Sequence, residues 1–134
     1  MVGLSGAARR GSRAALAGLS VVSLAACSSP AGLGRKACLY LRPRLVRLDN
    51  DRAAITNGEA AGAVDLPGVA TDIHLYVLAL PDGGKAPADR NLVAFSAALD
   101  AVAAPPGPAE ATPGATAELD RTEGLIHRLC AVAP

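Results

Sequence analysis

Residues 72–80 read Asp-Ile-His-Leu-Tyr-Val-Leu-Ala-Leu. Ile73, Leu75 and Val77 alternate with Tyr76, Leu78 and Leu80. An extended chain therefore carries apolar groups on both faces here, which predicts a central strand. Pro81-Asp82-Gly83-Gly84 ends it. On the N-terminal side, residues 37–48, ACLYLRPRLVRL, also read as extended, because Leu and Val recur and Pro43 argues against a central helix or an interior strand. Asp49-Asn50-Asp51 reads as a turn. Residues 53–56 and 60–66 flank Asn57-Gly58, a pair that tolerates positive φ and favours a two-residue hairpin turn.

On the C-terminal side the period changes. Asp89 is placed to cap a helix over 90–103, in which Leu92, Phe95, Leu99 and Val102 form one apolar stripe. Residues 104–114 are rich in Pro, Gly and Ala and show no helical period. Thr116 is placed to cap a second helix over 117–131, with Leu119, Ile126, Leu129 and Cys130 toward the core and Gly124 inside the span. The expected fold class is α+β: one small domain over 37–134, with an antiparallel sheet of about three to four strands followed by two helices.

The N-terminus carries a different message. Arg9, Arg10 and Arg13 supply positive charge, and no acid occurs before Asp49. Residues 14–26, AALAGLSVVSLAA, are uncharged and too short for a bilayer-spanning helix, which needs about 20 residues. This is the three-zone layout of an export signal. It ends in Leu24-Ala25-Ala26-Cys27. The motif resembles the lipobox of bacterial lipoproteins, in which the cysteine thiol takes a diacylglyceryl group and becomes the first mature residue. The resemblance implies a signal peptide over 1–26, lipidation of Cys27 and a polar tether over 27–36. It also implies a cell-membrane location, lipid-anchored on the extracytoplasmic face. Two acyl chains give stable anchoring where one gives marginal binding. Arg9-Arg10 also raises the twin-arginine export route, although Ser12 and Arg13 stand where that signal usually places hydrophobic residues.

Removing the three leader arginines turns the formal charge of +1 into about −2. Nucleic acid, which calls for a strong positive excess, is not an expected partner. The aromatic residues are only Tyr40, Tyr76 and Phe95, so the core must come from Leu, Val, Ile and Ala. A small aliphatic core is marginal alone. With Cys27 lipidated, Cys38 and Cys130 remain, an even pair in an oxidising compartment, and a disulfide between them is expected.

From 73 to 119 the chain resembles the GerMN domain of sporulation and germination lipoproteins. The residues that carry this are Leu75-Tyr76-Val77, Arg90, Ala98-Leu99-Asp100-Ala101-Val102, Gly107-Pro108-Ala109-Glu110 and Gly114-Ala115-Thr116-Ala117-Glu118-Leu119. No Pro follows Leu119, and the family's next strand is missing there. The resemblance implies a non-enzymatic envelope module that acts through protein contacts.

Chemistry is sparse. Asp72 and His74 share a strand face, where the acid would orient the imidazole, but no nucleophile stands beside them in sequence; Ser96 is the only serine beyond the tether. Glu123 and His127 lie one helical turn apart. Two ligands are short of the three or four that zinc takes, so the pair reads as a surface pair, with no metal or other cofactor expected. Arg35, Lys36, Arg42, Arg44 and Arg47 cluster after the anchor. Arg42, Arg44 and Arg47 are the candidates for contact with an anionic surface, such as lipid headgroups or wall phosphates. The sequence thus points to a lipid-anchored envelope protein, an interaction or accessory module without catalysis. Its partners would be the membrane and an envelope protein or wall polymer. The alternative is a lipoprotein that binds a small ligand or a wall polymer.

Overall fold

A computed structural model describes residues 33–132; the export signal, the lipobox and Cys27 lie outside the described residues. Four α-helices occur among the described residues: α1 (Arg35–Thr56), α2 (Ala60–Leu78), α3 (Arg90–Ala103) and α4 (Pro113–Val132). Short 3-10 turns at Pro81–Gly84, Pro87–Asp89 and Pro108–Glu110 serve the connections. No strand occurs among the described residues, so the expected α+β sheet is overturned. The helices run up and down around one core, and consecutive helices make the closest backbone approaches.

The physical reasons for the correction lie in α1 and α2. Within α2 the buried apolar side chains are Leu66, Val69, Ala70, Ile73 and Val77, a set at helical spacing that a nine-residue window cuts off. Leu75 and Leu78, which made the segment look apolar on both faces, are exposed. In α1 the buried apolar set is Cys38, Leu41, Leu45 and Leu48. Pro43 lies inside α1 and Pro67 inside α2. An interior proline costs a helix about 3 kcal/mol through a lost hydrogen bond and a ring clash. Both prolines are exposed, so the carbonyls they leave unpaired are on the water side. Burying a leucine, isoleucine or valine contributes about 1.5–3 kcal/mol, so the several aliphatic side chains of each inner face together outweigh one proline.

Asn57-Gly58 ends α1 instead of turning a hairpin. Gly58 takes φ +77°, its N–H donates to the Ile55 carbonyl at 3.0 Å, and the Glu59 N–H donates to the Ala54 carbonyl at 2.8 Å. These two bonds define the Schellman helix stop, which needs the same left-handed residue as a hairpin turn. Gly62 then lets α2 lie against α1: a Cβ there would stand 2.4 Å from the Asp51 carbonyl oxygen.

The C-terminal half follows its sequence signals more closely. In α3, Leu92, Phe95, Leu99 and Val102 are all buried. Helix α4 starts earlier than expected, with the Thr112 hydroxyl accepting from the Ala115 N–H at 3.1 Å. Leu119, Ile126 and Cys130 are buried and Leu129 is half-buried. Leu33, within the stretch read as tether, also joins the core. Residues 75–77, counterparts of a strand in the GerMN resemblance, belong to α2.

Candidate metal centre and its surroundings

The Cys38–Cys130 disulfide joins the first turn of α1 to the end of α4, with Cα atoms 5.3 Å apart. Helices α1 and α4 run antiparallel beside it, and charged side chains continue the seam. Arg52 of α1 donates to Glu123 at 2.6 Å and also to Asp120. Asp49, one turn before Arg52, faces His127: its Oδ2 is 3.7 Å from His127 Nε2. Glu123 Oε1 is likewise 3.7 Å from that nitrogen.

Asp49, Glu123 and His127 thus place one donor atom each within 4.8 Å of one another. The spacing of Glu123 and His127 follows from one helical turn on α4, while Asp49 comes from the facing helix. Glu123 is only 5 % exposed. Burial, reinforced by hydrogen bonding with Asp49, pushes its carboxyl up to about 7, while Arg52 pulls the other way. Beside His127 a groove of about 400 Å³ opens between α1 and α4, lined by Arg42, Leu45, Val46, Cys130 and Ala131. The sequence marks Glu123 and His127 as a surface pair one turn apart; the burial of Glu123 corrects this, and Asp49 and Arg52, read as turn and connecting residues, join them from α1. Reading 37–56 as one helix would have put Asp49 and Arg52 one turn apart on a face, the only signal available.

The three candidate arginines separate. Arg44 donates to the Tyr40 carbonyl at 2.9 Å, lies over the Tyr40 ring and comes within 3.7 Å of Asp72. Tyr40 in turn stacks on Tyr76 with ring centroids 4.2 Å apart. Arg47 grips Asp65 through two hydrogen bonds of 2.9 and 2.6 Å, and this holds the Asp65 carboxyl below its ordinary value. Arg42 is exposed and has no ion pair among the described residues; the same holds for Arg35 and Lys36.

Asp72 and His74 do not face each other, because residues two apart on a helix diverge. Asp72 meets Arg44 and Arg47, and His74 bonds Asp100 of α3 through Nδ1 at 2.8 Å. Ser96 is buried in α3. The acid–imidazole pair raised by the sequence is replaced by two separate interhelical ties.

No helix among the described residues is long and apolar enough to cross a membrane. Comparison with protein-family models, with curated proteins and with solved structures found no match.

Proposed function

We propose that the chain is a lipid-anchored protein of the bacterial cell envelope, held by an acylated Cys27, whose helical domain is an interaction module rather than an enzyme. The observation that carries this reading is the Cys38–Cys130 disulfide. Disulfides persist in oxidising compartments outside the cytoplasm and are rare inside it. The one remaining cysteine is Cys27, in Leu-Ala-Ala-Cys behind a basic start and an uncharged run. One feature is local in sequence and the other arises only on folding, and both favour export.

The anchor favours a particular orientation. Seven residues separate Cys27 from Arg35, and the eight extended steps between the two reach at most about 29 Å. The first turns of α1 therefore stay near the bilayer. On the outer side of those turns stand Arg35, Lys36, Leu39, Arg42 and Val46, all exposed. Cations near an anionic bilayer surface contribute about 1 kcal/mol each. The anionic contact proposed for three arginines narrows to Arg42, joined by Arg35 and Lys36, since Arg44 and Arg47 are engaged within the domain.

The test is metabolic labelling with an alkyne fatty acid of the tagged full-length chain in a bacterial host, followed by fractionation. Label and membrane retention are expected, with both lost in Cys27→Ala. An unlabelled wild-type chain in the soluble fraction contradicts the proposal. On anionic vesicles, Cys27→Ala with Arg42→Glu is expected to bind more weakly than Cys27→Ala alone; equal binding removes Arg42 from the contact.

A further inference from the structure

We propose that Asp49, Glu123 and His127 bind one divalent cation of the zinc class. The donors are an imidazole nitrogen and two carboxylate oxygens, all within 4.8 Å of one another. Zinc takes such nitrogen and oxygen ligands at about 2.0–2.2 Å in tetrahedral geometry, which sets neighbouring donors roughly 3.4 Å apart. His127 Nε2 stands 3.7 Å from each carboxylate oxygen. Side-chain rotations have to draw these two distances in by a few tenths of an ångström and the whole trio in from within 4.8 Å.

The helices that carry the donors are fixed without the ion. The Cys38–Cys130 bridge and the Arg52 contacts with Asp120 and Glu123 tie α1 to α4 on either side of the trio. Arg52 also occupies Glu123 Oε2, which leaves Oε1 directed at His127. An outer partner that orients a ligating carboxylate is a regular feature of metal sites. Arg52 is shared between Asp120 and Glu123, and Asp49 stands on the other side of Glu123 beside His127.

The donor set also selects. The nearby cysteines are joined in a disulfide and offer no thiolate. Calcium takes six to eight oxygens, which the trio does not supply. Imidazole suits zinc and its transition-metal neighbours. Three protein ligands leave a fourth position open, as in zinc sites that hold water or an exogenous ligand. His127 also lines the groove between α1 and α4, so that position lies near space a ligand can enter.

The test uses the full-length chain, purified in detergent and freed of metal with a chelator. It is titrated with Zn²⁺ by calorimetry and with Co²⁺ by visible absorption. The expected result is one equivalent bound, tetrahedral cobalt bands, and a thermal midpoint several degrees higher with zinc. His127→Ala and Asp49→Asn each weaken binding about tenfold or more, while His74→Ala binds like the wild type. Both ligand substitutions replace exposed side chains, and helicity by circular dichroism of the metal-free variants reports their folding directly. Should either variant fail to fold, Arg52→Lys provides the second reading: zinc binding weakened in a folded chain. Failure of zinc to bind saturably, or binding unchanged in folded His127→Ala and Asp49→Asn, overturns the proposal.

Discussion

Helix α1 has two lateral seams, and they are built by different means. Against α2 the backbones come close: Gly62 lies on the Asp51 carbonyl, and no side chain could be added there without a clash. Ring stacking and the Arg47–Asp65 fork cover the same seam from outside. Against α4, side-chain chemistry makes the closure: a disulfide at one end, and Arg52 with Asp120 and Glu123 toward the other. Neighbours in sequence need little help to meet, because a short connection already holds them together. The first and last helices must be brought together across the whole domain, and a covalent tie contributes most there.

The largest effect should come from the long-range seam. Replacing Cys38 and Cys130 by Ala frees two residues 92 apart; the chain-entropy model gives about 4–5 kcal/mol for loops of this length, with measured values often lower. Urea unfolding should therefore show a loss of about 3–4 kcal/mol. A loss under 1 kcal/mol would mean that α1 and α4 hold together unaided. At the other seam, Gly62→Ala forces a Cβ onto backbone and should cost about 2–3 kcal/mol, near the top of the range for overpacking. A neutral result would show that α1 and α2 separate easily, and the contrast between the seams would fail.

Arg52→Met should cost about 1–2 kcal/mol, because it leaves the buried Glu123 carboxyl without its donor. Double-mutant analysis with Asp120→Asn should show the two carboxyls sharing one guanidinium.

A further effect concerns pH. Asp51 is buried at the α1–α2 seam, and burial, then Asp65, raise its carboxyl to about 6 from an ordinary value of 3.8. Between pH 4 and 6 the folded chain retains a proton that the unfolded chain has lost, so this group makes stability fall as pH rises through that window. Asp51→Asn should remove that fall, and its thermal midpoint relative to wild type should increase from pH 4 to pH 7. A constant difference would place the Asp51 carboxyl outside the seam.

The parts of the fold legible in the sequence are those in which a stripe is complete and unbroken. Leu92, Phe95, Leu99 and Val102 mark α3 without interference, and α3 runs over Arg90–Ala103 as its period predicts. In α1 and α2 the same kind of stripe is interrupted by Pro43 and Pro67 and padded by exposed Leu39, Val46, Leu75 and Leu78. Short windows over such segments alternate by accident and imitate strands. Asn57-Gly58 was ambiguous for a deeper reason: a hairpin turn and a helix stop require the same positive φ. The disulfide was legible by counting cysteines. The third member of the metal trio was not, because Asp49 meets Glu123 and His127 only after α1 and α4 come together.

The most direct test of the account is the intact mass of the chain extracted from membranes with detergent, before and after reduction. A chain that begins at an acylated Cys27 and gains two hydrogens on reduction, at Cys38 and Cys130, is the predicted result. A chain that retains residues 1–26 without lipid, or one with free thiols at Cys38 and Cys130 before reduction, would contradict it.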